Sequence, residues 1–531
     1  MKRRKFLELS ALGSASAILL NGRKVSAFSQ TALLNQLPDE MIDGRSVVLI
    51  QMGGGNDGLN TLIPLEQYDL YANLRKKTKI KVKGKDAAIN LDKTLPLEYQ
   101  MYLHPSLQGF KDLYDAGKLN IINGVGYPIA TRSHFTSRAQ MFKGEDGTKK
   151  HSDKYSGWMA RYLNAAYNYK DYEDPLGIQL GAIKPSLGFH SEHEHKVDVN
   201  LTGQNVSGYN NVISNIGNPE PMNLSKSEHA DKIKFIGQIQ TATNSYSQRI
   251  SEVFNNGKNI ATYPDYDLAD QLKTVAKMVK GGSKTKIFLV NQGGYDTHTK
   301  QVVEGETHKG EHAYLLRVLG DSVKAFQDDL EKLGIQDKVV CTTFTEFGRK
   351  PLENGNFGTD HGSLAPMFVI GNAVNGGVSG KNLNLDGIKK HFPEKQRLFD
   401  YRQVFTSLLT DFLGANKEVL TQTEFIDFDN AGRPDLINDD YFKPSKQNLI
   451  VYPNPVHDFL GFKLIAKQLF RGYITLYDMS GKLVFSSPHD FKNGINTINA
   501  IQVGNLAPGN YILAIKDSLN FTIEKQHIIK S

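Results

Sequence analysis

The sequence predicts an α/β protein built on a sheet of buried strands, followed by a small all-β domain. Three observations carry this. Short runs of β-branched residues recur at 45–52, 119–125, 286–290 and 338–345, with helical patterns between them. Most of these runs end in a polar, glycine-rich loop, as at Gly53-Gly54-Gly55-Asn56-Asp57-Gly58. From residue 449 the pattern changes to short alternating strands at regular spacing. In open α/β sheets, ligands sit in the crevice beyond the strand carboxyl ends.

At 531 residues the chain is too long for one core, so two or more domains are expected. Hydrophobic residues make up 39% and charged residues 22%, as in an ordinary soluble protein. Nothing after the N-terminus is apolar for long enough to cross a bilayer as a helix. The formal net charge is +7. Six cations against Glu8 place +5 of it in residues 1–27, so about +2 remains beyond them. That balance gives no argument for nucleic-acid binding. The single cysteine, Cys341, excludes an intramolecular disulfide and reads as a core residue.

In chain order, residues 1–27 read as an export signal. Arg3-Arg4 with Phe6-Leu7 is similar to the twin-arginine signal, and Val25-Ser26-Ala27 fits a cleavage site. The strand at 45–52 leads to Asp57, which reads either as a site residue or as the cap of a strand-to-helix turn. His104-Pro105 opens a helix with Leu107, Phe110, Leu113 and Tyr114 on one face, ended by Gly117. After the strand at 119–125 come Arg132, Ser133 and His134 at a helix start. Ser133 is there either a nucleophile or a plain N-cap. Residues 155–168 read as a helix, and His190, His193 and His195 as a solvated loop.

Residues 225–280 read as two helices broken at Gly257-Lys258-Asn259. The strand at 286–290 leads to Asp296 and His298. Two apart in an extended segment, they face the same way and suit a shared metal; the other reading is a hydrogen-bonded pair in a polar turn. His308 and His312 are four apart, a common and unspecific spacing. An amphipathic helix at 312–333 precedes the strand at 338–345. Glu346 and Arg349 follow, then Asp360 and His361 between Gly358 and Gly362, then a strand at 367–370. Charged groups between two apolar strands are costly unless something pairs with them. Asp360 and His361 are therefore expected to project into the crevice and hold a metal or an anion. A last helix spans 401–412, and 429–448 reads as a linker. Seven strands follow, divided by Pro453-Asn454-Pro455, Ser480-Gly481 and Pro508-Gly509.

Val451-Tyr452-Pro453-Asn454-Pro455, Leu476 to Lys482 and Leu506 to Tyr511 resemble the type A C-terminal sorting domain of the type IX secretion system. The resemblance implies passage through the periplasm and outer membrane, surface attachment or release, and cleavage of the tail. The partners implied are the twin-arginine translocase and the type IX machinery, with no transmembrane anchor in the mature chain. Gly53 to Pro64, His104-Pro105, Arg132-Ser133-His134-Phe135, Gly293 to His298, Glu346 to Arg349 and Gly358 to Gly362 resemble the DUF1501 family of unknown function. That family is grouped with the alkaline phosphatase and sulfatase superfamily. The resemblance implies an α/β/α sandwich over 28–428 and a metal-assisted ester hydrolase. Asp57, Asp296, His298 and His361 match the superfamily's metal ligands, and Ser133 its nucleophile. One departure is clear: Glu346-Phe347 stands where the superfamily has Asp-His, which removes a ligand from one of two metal sites.

Two functions follow as expectations. The first is a hydrolase of phosphate or sulfate esters, acting on a small anionic ester or a polysaccharide. Asp57, Asp296, His298, Glu346, Asp360 and His361 would hold a divalent ion, zinc or manganese. Ser133 would attack, while Arg132 or Arg349 balances charge. The second is a non-catalytic surface binding protein on the same scaffold, its polar clusters being hydrogen-bond networks.

Overall fold

The computed structural model describes residues 26–28, 44–148, 156–167, 173–181, 187–190, 246, 248–388, 390–438, 449–466, 470–492, 494–518 and 522–531. The expected signal up to residue 25, His193, His195, the helix expected over 225–245 and the linker from 439 lie outside them. The chain divides into two compact units, Met1–Asn438 and Asp439–Ser531.

The first unit is organised on one mixed sheet. Its strands are β1 (Ser26–Phe28), β2 (Ser46–Met52), β3 (Leu119–Gly126), β4 (Gly177–Gln179), β5 (Ile287–Gln292) and β6 (Val339–Phe344). Two short strands outside it form their own pair, β7 (Arg349–Glu353) and β8 (Thr359–His361). The sheet continues with β9 (Ala365–Ile370), β10 (Gly377–Ser379) and β11 (Phe399–Asp400). The order is β1-β4-β5-β2-β6-β9-β3-β10, with β11 also on β3.

β4, β5, β2 and β6 are parallel, whereas β9 is antiparallel to both β6 and β3. No helix separates β6 from β9, so a parallel crossover is not available there. β3 therefore runs the same way as β6. The carboxyl ends of β2, β3, β5 and β6, and the start of β9, meet at one edge.

Every residue of β2, β6 and β9 is buried, the expected state of strands covered on both faces. Helices α1 (Gln108–Asp115), α2 (His134–Lys143), α3 (Trp158–Ala166), α4 (Asp267–Lys280), α5 (Glu311–Leu333) and α6 (Tyr401–Ser407) provide the cover. Val48, Ile50, Phe288 and Cys341 pack with α1, α4 and α5 in one core. On the other face Phe344 meets Phe142 of α2 and Phe405 of α6, and Trp158 of α3 stacks on Phe405 at 4.8 Å. The unit is thus an α/β/α sandwich. Cys341 is wholly buried, and burial pushes its thiol up, as suits a core residue. Residues 429–438, expected to begin the linker, contribute buried Leu436 and Ile437 to this unit.

Among its described residues the second unit has seven strands, from Leu449–Tyr452 to Thr522–Lys530, in one three-stranded and one four-stranded sheet. Leu460, Phe462, Leu476, Leu513 and Ile515 fill its core.

Candidate metal centre

Glycine lets the loops at the sheet edge come together. Gly54 has φ +123, and a Cβ there would lie 2.4 Å from the Asp296 nitrogen. The loop after β2 can therefore lie against the loop after β5, where the Tyr295 N–H donates to Gly53 O at 3.1 Å. Asp296 and His298 are not in an extended segment. Thr297 and His298 each donate to the carbonyl two residues back, at 2.9 and 3.0 Å, which is a turned backbone. Both side chains nevertheless reach one point, because the turn folds them together.

That point is a cluster of electron-rich atoms. His298 Nε2 and His361 Nε2 face each other at 2.9 Å. Asp296 Oδ1 lies 3.0 Å from His361 Nε2 and 3.2 Å from His298 Nε2. Asp296 Oδ2 lies 3.3 Å from His134 Nε2. His134, Asp296 and His361 each offer a ligand atom within 4.8 Å of the others.

The opposite nitrogen of each ring is tied to an oxygen. His361 Nδ1 lies 2.8 Å from the Arg132 carbonyl, His298 Nδ1 3.3 Å from Asp360 Oδ1, and His134 Nδ1 3.0 Å from Glu346 Oε1. A carbonyl or carboxylate oxygen only accepts, so each Nδ1 is the donor. In neutral rings each Nε2 then turns a lone pair toward the cluster. Metal-ligating histidines are commonly oriented this way.

The surroundings keep the acids ionised. Burial raises the Asp296 carboxyl, but the Arg349 hydrogen bond and charge oppose it, and the group sits at about 2. For Asp360 the Lys350 hydrogen bond dominates, and it also sits at about 2. Burial lowers His361, which favours the free lone pair. Phe347 forms the floor, its ring 4.9 Å from that of His134 and 4.7 Å from that of His361.

Of the residues singled out in the sequence, Asp296, His298 and His361 come together. Asp360 and Glu346 stand one layer back, holding His298 and His134. Asp57 does not join them. It is 1% exposed, and its oxygens accept from Arg75 Nη1 at 2.6 Å, Arg75 Nη2 at 2.9 Å and Gln301 Nε2 at 2.6 Å. Burial raises this carboxyl, but Arg75, His312 and Gln301 together bring it below its usual value.

Ser133 caps α2 by position but makes no side-chain cap bond. It is exposed, and its Oγ accepts from Thr136 Oγ1 at 3.4 Å. Among the described residues no imidazole or carboxylate hydrogen-bonds it. Arg132 has φ +60, and its guanidinium donates to His391 Nε2 at 2.7 Å. Arg349 is buried. It donates to the carbonyls of Gly54, Gly55, Tyr295 and Thr359 and to Asp296 Oδ1, so it ties loops together. Sequence reasoning missed His134 as a ligand-type residue and Arg75 as the partner of Asp57. His134 stood in the Arg-Ser-His-Phe stretch, where the hydroxyl beside it drew the assignment.

Comparison with known proteins places these features in context. Residues 223–387 match the profile of the DUF1501 family, described as a protein of unknown function, and residues 450–530 match the secretion system C-terminal sorting domain. The first match takes in Asp296, His298, Glu346, Asp360 and His361 but not Asp57 or His134. The second indicates export to the cell surface or extracellular space through the type IX machinery. No curated protein matches the chain. Among solved structures it is similar to Ps i-CgsB in complex with k-i-k-neocarrahexaose, at 11% identity over 79% of this chain and 82% of that one, TM-score 0.33. A protein in the alkaline phosphatase superfamily from Vibrio parahaemolyticus is similar at 8% identity, over 99% and 91% of the chains, TM-score 0.27. The PsFucS1 sulfatase from Pseudoalteromonas sp. is similar at 10% identity, over 86% and 84%, TM-score 0.31.

Proposed function

We propose that Asp296, His298, His361 and His134 hold one divalent metal ion, and that the chain is an exported metal-assisted hydrolase of phosphate or sulfate esters. One observation carries this reading: three imidazoles, each with Nδ1–H already committed, aim Nε2 lone pairs at one another and at a carboxylate. Without a cation or an added proton such atoms repel. The spacing fits. A tetrahedral ion with bonds of about 2.0–2.1 Å separates its ligands by about 3.3 Å; His298 Nε2, His361 Nε2 and Asp296 Oδ1 lie 2.9–3.2 Å apart, and His134 Nε2 reaches the other Asp296 oxygen at 3.3 Å. Nitrogen and carboxylate donors suit zinc, with manganese the alternative.

A bound divalent ion supplies Lewis acidity, polarising the ester oxygen. The chain's own groups do the rest. The first N–H groups of α2 carry no cap bond from Ser133 and so can donate to an anion. Arg349 and Lys350 keep Asp296 and Asp360 ionised. Glu346 and Asp360 fix the tautomers of His134 and His298. With no base hydrogen-bonded to Ser133 among the described residues, water is the attacking group. Asp57 is a structural acid, locked by Arg75.

The test is metal content per chain, then hydrolysis of 4-nitrophenyl phosphate and 4-nitrophenyl sulfate. Loss of both metal and turnover in Asp296→Asn and His361→Ala is expected. Protein that takes up neither zinc nor manganese overturns the proposal. The second reading, a binding protein without turnover, is favoured by the locked Asp57 and the unassisted Ser133. Metal-loaded protein inert toward both esters would establish it.

A further inference from the structure

The charges around the centre cancel in pairs. Asp296 pairs with Arg349, Asp360 with Lys350 and Glu346 with Arg138. The three histidines are neutral when their Nε2 lone pairs are free, so the inner shell is neutral until an ion binds. A divalent ion then adds two positive charges. Outside this shell Arg132 donates to His391, whose chain neighbour is Lys390, and the charges of Arg132, Lys350 and Lys390 all act on the His391 ring. Burial, then the charges of Arg132, Lys350 and Lys390, hold His391 at about 4, so it is neutral at pH 7. Arg132 and Lys390 thus add two more charges that no inner acid balances.

A sulfate monoester carries one negative charge and a phosphate monoester about two. Either satisfies the ion at most. The outer pair is left for something else. Arg132 is also an exposed non-glycine residue with φ +60, an unusual conformation whose carbonyl accepts from His361. One residue thus anchors a cluster imidazole through its backbone and presents a guanidinium to solvent through its side chain.

We propose that Arg132 and Lys390 form a rim that binds a second anionic group of the substrate, so that the centre works on an ester within a polyanion. The reaction rests on the metal-assisted reading; binding at the rim does not. The shared chemistry is a flexible chain with repeated sulfate or phosphate groups.

The test uses the full chain and two probes, dextran sulfate and linear polyphosphate, with affinity measured across a range of salt. The variant Arg132→Gly/Lys390→Ala removes both charges, and glycine accepts the φ of position 132. About tenfold weaker polymer binding is expected, with the log-affinity against log-salt slope shallower by about one to two. Lys482→Ala/Lys492→Ala, which removes two charges from the other unit, is expected to bind as the wild type does. The tighter probe identifies the anion. Equal affinity and equal slope for the rim variant and the wild type overturn the proposal. Binding is repeated after chelation. Polymer binding that survives in a chain unable to take up metal sustains the rim while removing the hydrolase reading. Metal uptake with an unaltered rim variant does the opposite.

Discussion

Two acid–base clusters lie along the same sheet edge, and they are built in opposite ways. Around Asp57 everything is sealed: Arg75, Gln301 and His312 are buried, and the carboxylate accepts three charge-assisted or amide hydrogen bonds. Around Asp296 the acid is 46% exposed on its side chain and the imidazole lone pairs meet without a donor between them. The first cluster is complete as it stands. The second, on the proposed reading, is completed by a cation. Similar residue types therefore say little by themselves; what separates a structural acid from a ligand is whether the fold already supplies its counter-charge.

The largest effect should come from breaking the sealed side. Arg75→Met leaves Asp57 buried without its partner, and urea unfolding should show a loss of about 3–5 kcal/mol. Asp296→Asn in metal-free protein should cost under about 1 kcal/mol, because that acid reaches water. Similar losses for the two would erase the contrast.

Next comes pH. Burial holds His312 at about 4 in the fold, against 6.5 when unfolded. As pH falls through that window the unfolded chain takes up the proton first, so stability declines. The decline is on the order of 3 kcal/mol from this group. It should be largely absent in His312→Asn, followed by urea midpoints between pH 7 and 4.

A smaller effect sharpens the open side. Asp360→Asn weakens the hold on His298 Nδ1, and zinc affinity measured by competition with a chelator should fall about 10–100-fold. Smallest of all is Ser133→Ala. With no cap bond to lose, stability should stay within about 0.5 kcal/mol. Turnover of 4-nitrophenyl esters should persist, and its disappearance would make Ser133 the nucleophile after all.

Much of this was legible in the sequence because it is local. The β-branched runs mark β2, β3, β5 and β6 within a residue or two, since strands buried on both faces must be apolar throughout. Asp296, His298 and His361 follow strand ends or glycines, and such positions project into the crevice. What stayed hidden depends on distant contacts. Arg75 sits in the basic run Arg75-Lys76-Lys77, and nothing local says that it alone is buried. Glu346 reads as a ligand until His134 is seen to intervene. The antiparallel course of β9 follows from a connection without a helix, whose polar composition alone does not reveal a direction.

The close approach at Gly54 and Gly358 bears on how descent should be traced. A Cβ at Gly358 would lie 2.3 Å from the His298 carbonyl oxygen, as one at Gly54 would meet Asp296. Neither glycine carries a candidate ligand, yet any side chain at either would push the segment bearing Asp296 and His298 away. A cousin that retains every acid and imidazole but carries alanine at one of these two places should be sorted among the degenerate branches. Spelling out the chelating letters is therefore a poor guide to inheritance, and the missing methyl groups are a better one.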